Sequence, residues 1–507
     1  MTRDANRPGG TPPDPPEPGL VAARAGESLA ADFEAPPERG RRGRGPERRG
    51  RSKRGADGAH PGRRRTVADG VTIRVILSDP RVRVIILVVF VIMLGFGIVA
   101  PILPLYARSF GVGYGVASLL ISSFAITRLV FDLVAGPIVD RFGERAAASA
   151  GIVVVGVSSF LTGLAPSFAL AVVFRGAGGA GSAVLFASLY SYLLKVVPKA
   201  NMARTLAVFY GAFNVGIVAG GPVGGLIARY WGLASPLFVY AVILFVSGGM
   251  YVAFVRDPRP AERPVAGAPA EAQGEGVEVE ATEEAPPAGI RPLVRRTVER
   301  VRELLSDRTF VTVIFVYFAF LWMVGGVFDT LVPLFGKYGL HMSTVGIGGV
   351  FAVALATEFS VLYHAGILAD RLGRRAVSIP SMTALGVMIV VVGWAGNAAI
   401  YAALMGLLGF ASGYAGVPPA AMLADIVGDE GRGTAVGAFR FAGDLGFVFG
   451  PLVAGVMTSA FGFRWAFAVA SLPLFAGVIL LLRIQETLGS VSRSPGSSPA
   501  ATPSTPR

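Results

Sequence analysis

Gly136-Pro-Ile-Val-Asp140-Arg141-Phe-Gly143-Glu-Arg145, and later Gly366-Ile-Leu-Ala-Asp370-Arg371-Leu-Gly373-Arg374-Arg375: one short signature stands twice in this chain, 230 positions apart. Each copy closes one long apolar segment and opens the next. A duplicated set of apolar segments points to a membrane protein built from two related halves.

Working outward from the signature, apolar stretches of about 20 residues, long enough to cross a hydrocarbon core of roughly 30 Å, fall into two sets of six. The first set is predicted near 84–106, 115–139, 146–165, 167–193, 205–229 and 236–256. The second is predicted near 309–334, 343–368, 376–395, 398–423, 433–457 and 462–483. The expected fold is therefore all-α and polytopic, with twelve membrane helices in two six-helix pseudo-repeats. The domains read as a tail over 1–70, bundles over 75–256 and 309–485, a linker over 257–308 and a tail over 486–507.

The repeat extends past the signature. Leu77-Ser78-Asp79 before the first span matches Leu305-Ser306-Asp307 before the seventh, and Pro104-Leu105-Tyr106 matches Pro333-Leu334-Phe335. In the fifth span Asn214-x-Gly216-x-x-x-Gly220 matches Asp444-x-Gly446-x-x-x-Gly450 in the eleventh. The two halves thus repeat in parallel.

Composition agrees. Over 507 residues, 53% are hydrophobic and 16% charged, where soluble proteins carry about a quarter charged, and mean hydropathy is +0.60. The chain has no cysteine and three histidines, which excludes disulfides, thiolate metal sites and cysteine nucleophiles. There is no P-loop run, so nucleotide hydrolysis is not expected, and neither a cofactor nor an enzymatic activity is expected. The first 70 residues are rich in Pro, Gly, Ala and Arg without periodicity, a disordered composition. Twelve Arg or Lys fall between Arg39 and Arg65. Such a tail sets topology, binds anionic lipid or binds RNA; the topological role is the expectation, with no nucleic-acid partner. Lys195, Lys199, Arg204 and Arg432 join the signature arginines on one side, while Arg108, Lys337 and Arg464 mark the other. By the positive-inside rule both termini are cytoplasmic in an inner membrane. The linker is acidic around Glu271–Glu284 and ends in a stretch where Val294, Val298, Val301 and Leu305 share a face, either lying on the membrane surface or solvated.

These residues resemble the major facilitator superfamily over about residues 75–485. Leu94-Gly95, then Pro101-Ile-Leu-Pro104, is similar to a first-helix motif of its twelve-helix drug:proton antiporters. Arg175-x-x-Gly178-Gly179-x-Gly181-Ser-Ala183 resembles the fourth-helix proton-coupling motif, with Gly178 where a glutamine is common. Gly216-x-x-x-Gly220-Gly221-Pro222-Val-Gly224-Gly225 looks like the fifth-helix antiporter motif, with Pro222 one residue late. The resemblance implies alternating access by a monomer in the lipid membrane.

Residue chemistry can be read without the resemblance. At the repeated turn, Gly136, Gly143, Gly366 and Gly373 allow close approach and tight reversal. Asp140, Arg141, Arg145, Asp370, Arg371, Arg374 and Arg375 read as a gate whose charges make and break contacts, or as topology anchors. A charge at mid-membrane costs about 2.5–3.5 kcal/mol on insertion scales, so it faces a partner or a wet cavity. Arg128, Asp132, Arg175, Asp329, Glu358, Arg440 and Asp444 are so placed. Arg128/Asp132 and Arg440/Asp444 are spaced i,i+4 and are expected to bridge on one face, as coupling groups or static pairs. Asp329 and Glu358 have no opposite charge within a turn, which makes them the proton-carrier candidates. Trp322 and Phe328 beside Asp329 fit either a cavity for aromatic or cationic substrates or a lipid face. The expected function is proton-coupled export of amphipathic or drug-like small molecules. The alternatives are a same-fold importer or facilitator of a metabolite, kept open by the late Pro222, and a transport-dead sensor or anchor acting through the basic tail.

Overall fold

Two features of the local sequence set the helix ends. Asp79 accepts a hydrogen bond from Arg81 N at 2.8 Å ahead of Pro80, and Asp307 accepts one from Thr309 N at 2.8 Å. The repeated Leu-Ser-Asp is therefore a duplicated N-cap, which satisfies an amide that a helix start leaves unpaired. The repeated glycine ends the second helix of each half: Gly143 has φ 81 and ψ 157, and Gly373 has φ 106 and ψ 150. That region is open essentially to glycine alone.

The structure, a computed structural model, describes residues 77, 79–197, 199–255, 299–427 and 432–488. The tail over 1–70, Ser78, Val294 and Val298, most of the linker and the chain beyond 488 lie outside these residues, as do the side chains of Lys199 and Arg432. Among the described residues every regular element is helical. In the first half α1 is Pro80–Val99, α2 Leu119–Phe142, α3 Glu144–Leu164, α4 Phe168–Val196, α5 Lys199–Trp231 and α6 Ser235–Phe254. Short turns of helix, Leu103–Ser109 and Tyr114–Ala117, join α1 to α2. In the second half α7 starts as Arg308–Met323 and runs on to Gly339, α8 is Thr344–Leu372, α9 Arg374–Val392 and α10 Ala398–Gly416, continued by Pro418–Ile426.

Eleven apolar helices among the described residues are long enough to cross a membrane, the last spanning 49 residues. At 1.5 Å per residue that helix would be about 73 Å long, over twice the hydrocarbon thickness. It is in fact two helices meeting at Gly462, where φ is 80 and ψ 176. These are α11 (432–461) and α12 (463–482), which completes the twelve.

Several helices extend beyond the expected spans, α2 to Phe142, α5 from Lys199 and α8 to Leu372. Asp140 and Arg141 thus belong to the last turn of α2, and the reversal itself is one glycine. Pro222 lies inside α5 without ending it.

Each half has its own core. Ile85, Ile92, Leu120, Ile152 and Leu185 belong to the first, and Phe310, Val313, Met382, Tyr401 and Phe467 to the second. Within the first half α4 packs on α2 and α3, and α1 packs on α5 and α6; in the second α7 packs on α11, and α8 on α10. Across the halves α5 meets α8 and α2 meets α11. A small third cluster, including Ile102, Ala228 and Leu334, spans both halves at the helix ends away from Asp140. At that same side, here called outer, Trp231, Trp394 and Trp465 are exposed, as aromatic residues are at a membrane interface. The opposite side, with Asp140 and Asp370, is the turn side.

Candidate functional site

The glycine-rich fifth span decides how the halves meet. A Cβ on Gly216 would fall 2.6 Å from Phe90 O and 2.8 Å from Leu94 N of α1. Gly220 and Gly224 make the same close approach to the backbone of α1 around Leu94, Gly97 and Ile98. The fifth-span glycines therefore pack on the first-span motif, where Gly95 lies under the Tyr240 ring and Pro101 falls in the break between Val99 and Leu103. Pro104 is buried at the start of the following helical turn. Gly221 and Gly225 face the other way, against Gly348 and Thr344 of α8.

The outer side is closed by contacts between halves. Thr344 Oγ1 donates to Gly225 O at 2.9 Å, Ser122 Oγ donates to Val448 O at 2.9 Å, and Gly115 N donates to Ser459 Oγ at 3.0 Å. Tyr114 meets Tyr338 and Phe463 edge-on, with the Arg108 guanidinium 4.3 Å from its ring centroid. Nearer the turn side no such contact is made at the glycines of the same four helices. A Cβ on Gly136 of α2, Gly211 of α5, Gly366 of α8 or Gly437 of α11 would have no atom within 4 Å. The close approach expected at Gly136 and Gly366 is thus absent in this conformation.

Arg175 of α4 and Asp329 of α7 are buried charges of opposite sign, one in each half. Arg175 is 2% exposed, its guanidinium lies 4.4 Å from the Phe124 ring centroid, and its Nε and Nη1 have no hydrogen-bond partner among the described residues. It interacts electrostatically with Asp329 and lies close to Tyr240. Asp329, 9% exposed, is on a π-helical stretch, Val324–Leu331, where Thr330 Oγ1 donates to Gly325 O at 2.8 Å. Such widened turns re-aim a side chain and recur at functional sites. Asp329 lacks an opposite charge in sequence; in space it is within electrostatic reach of Arg175 of the other half, without an ion pair within 4 Å among the described residues. Glu358 of α8 is half-buried beside Ser412 of α10. Gly178, Gly179 and Gly181 let α4 approach Ser158, Phe124 and Gly151 closely, which fixes Arg175 in place.

Of the two i,i+4 pairs one forms. Arg128 and Asp132 stand 3.8 Å apart. Among the described residues no ion pair within 4 Å joins Arg440 to Asp444; Asp444 interacts instead with Arg128 and Asp132 of α2 as well as Arg440. Spacing of one turn permits a bridge on an isolated helix, and here charges from a facing helix compete for it. Trp322 donates from Nε1 to Ala470 O at 3.2 Å, and Phe328 packs edge-on against Phe351. Both are buried in the packing of the second half.

At the repeated turns the arginines hold helix ends. Arg145 donates to Val252 O of α6 at 2.6 Å, and Arg375 donates to Leu481 O of α12 at 2.8 Å, equivalent positions in the two halves. Arg374 pairs with Asp370 and, at 3.1 Å, with Asp425 at the end of α10. In the first half the corresponding residues are Glu144 and Lys195, and they too form an ion pair. The contact is kept and its polarity reversed. Asp140 is exposed and forms no hydrogen bond or ion pair among the described residues, and Arg141 and Arg371 are exposed. Lys195 reads in the sequence only as a topology marker, and Glu144 and Asp425 are not singled out there, although the signal is present as equivalent positions of opposite sign. Nor is Glu486, whose carboxylate accepts from Arg374 N at 2.7 Å and caps α9.

A protein-family model described as Major Facilitator Superfamily matches residues 85–363 and 356–505. The quinolone resistance protein NorA of Staphylococcus aureus (strain MRSA252) is 23% identical over 171 residues, which are 34% of this chain and 44% of that protein. The uncharacterized MFS-type transporter YceJ of Bacillus subtilis (strain 168) is 28% identical over 181 residues, 35% of this chain and 46% of that protein. The aligned stretch thus spans under half the length of these curated relatives. Among solved structures, the human organic anion transporter MFSD10 (TETRAN) superposes with a TM-score of 0.55 at 19% identity, covering 79% of this chain and 99% of that one. A mutant of the nucleoside transporter NupG superposes with a TM-score of 0.64 at 10% identity, with the same coverage. Both likenesses are of fold.

Proposed function

Because the chain belongs to the major facilitator superfamily and is a multi-pass membrane transporter, we propose that it exports amphipathic or drug-like small molecules by alternating access, in exchange for protons moving inward. The observation that carries this reading is that Asp329 of one half and Arg175 of the other, both buried, are within electrostatic reach of each other, with no ion pair within 4 Å joining them among the described residues. An ionised Asp329 attracts the guanidinium and draws the halves together there; a protonated one does not. Charge state is thereby tied to the separation of the halves, which is what coupling requires. The partial likeness to a quinolone resistance protein supports the substrate class. On this reading the basic turn side is cytoplasmic by the positive-inside rule, and the closed outer contacts make the conformation an inward-facing one.

The test is flux into inverted vesicles under an imposed pH gradient. Asp329→Asn keeps the shape of the site and cannot take two charge states. It is expected to abolish pH-driven uptake while leaving downhill exchange. Glu358→Gln is measured alongside, since Glu358 is the second acid without a basic neighbour in sequence. Full pH-driven uptake by both variants would overturn the proton-carrier assignment, and uptake driven in the opposite direction would favour import.

A further inference from the structure

Four charged side chains gather where α2 of one half faces α11 of the other, and they leave one another poorly satisfied. Arg128 and Asp132, a third and 28% exposed, stand at 3.8 Å, and Arg128 Nε has no hydrogen-bond partner among the described residues. Arg440 is exposed, Asp444 half-buried, and no ion pair within 4 Å joins them among the described residues. Asp444 nonetheless lies within electrostatic reach of the other three. Aromatic faces frame the group from both halves. Tyr317 of α7 stacks on Phe439 with centroids 3.9 Å apart, and the Phe186 ring of α4 lies 5.8 Å from the Arg128 guanidinium.

Loosely paired charge in a membrane interior is costly and is kept where a ligand or a conformational change uses it. The group carries two cations and two anions, all at least partly exposed, on facing helices of the two halves. We propose that it is a two-pole ligand site for aromatic zwitterions. The ring system would lie against the Phe186 and Tyr317 rings, the ligand's anionic group on Arg128 and Arg440, and its cationic group on Asp132 and Asp444. A purely cationic or anionic ligand meets one pair of partners and is repelled by the other. This inference deepens the proposed function by naming a substrate class, and it rests on that reading only for the cavity's role in transport.

The test is direct binding by fluorescence polarisation to the purified full chain in detergent. The probes are three xanthene dyes: rhodamine B, a zwitterion; rhodamine B ethyl ester, a cation; and fluorescein, an anion. Rhodamine B is expected to bind about tenfold or more tighter than either of the others, since loss of a desolvated charge contact is typically worth at least that. Arg440→Gln should remove the preference over the ester, and Asp444→Asn the preference over fluorescein. If either single variant fails to elute as a folded monodisperse species, the double variant, which leaves no lone charge, is used and should bind all three dyes alike. Equal binding of the three dyes by the parent chain, or a preference that the variants retain, would overturn the inference. Charge preference in binding with no dye flux in vesicles would count against the proposed function alone. Dye flux without charge preference would count against the two-pole site alone.

Discussion

Adding one methyl group at Gly225 should shift this transporter away from the state in which its outer side is closed. In the structure a Cβ at that position would fall 3.0 Å from Thr344 C and 3.0 Å from Val345 Cα, both backbone atoms of α8 that no rotamer change can move. Thr344 Oγ1 also donates to Gly225 O across the same contact. Overpacking of this kind costs about 1–3 kcal/mol, and it is felt only while α5 and α8 touch. A state that separates them escapes the cost, so the equilibrium moves by about 5- to 150-fold. The chain has no cysteine, so spin labels can be placed without first removing native thiols. Arg229 and Lys337, which line one outer cleft, form the outer label pair. Phe142 and Leu372, equivalent exposed residues, form the turn-side pair. In Gly225→Ala the outer distance should lengthen and the turn-side distance shorten. Gly216→Ala is the control: its Cβ meets Phe90 O and Leu94 N within the same half, a clash present in both states. It should lower thermal stability and leave the ratio of states unchanged. Unaltered distance distributions in a folded Gly225→Ala would refute the reasoning.

Gly143→Ala and Gly373→Ala should each lose about 1–3 kcal/mol in thermal unfolding, because their backbone conformation is open essentially to glycine alone. Gly136→Ala, facing open space, should stay within about 0.5 kcal/mol of the parent yet slow flux if the turn side must close on it. Glu144→Lys alone places two cations in contact and should reduce folded yield. Combined with Lys195→Glu it should recover that yield, since the swap reproduces the polarity of Arg374–Asp425; failure to recover would show that the pair is not what holds the turn. Asp140→Asn should cut flux at near-normal abundance, because the side chain is exposed and unbonded in this conformation. Normal flux at matched expression would make that turn an anchor only.

The sequence by itself determined the features whose physics is local or repeated. Span length follows from bilayer thickness, so twelve helices could be placed from apolar runs. The caps at Asp79 and Asp307 and the reversals at Gly143 and Gly373 follow from backbone geometry, and duplication at a fixed interval raised each above chance. Where the helices stop was less legible, because charged last turns such as that of Asp140 and Arg141 look like loop in hydropathy. The tertiary structure alone decided which distant groups meet. Arg175 and Asp329 belong to different halves, and only the assembled bundle puts each within electrostatic reach of the other. Glu144 and Lys195 pair across 51 positions. Arg440 and Asp444, a plausible bridge by spacing, are drawn instead into a cluster with α2. An α-helix fixes which residues share its own face, but the partner of that face is set by how six helices pack, and a through-space charge obeys distance rather than sequence separation.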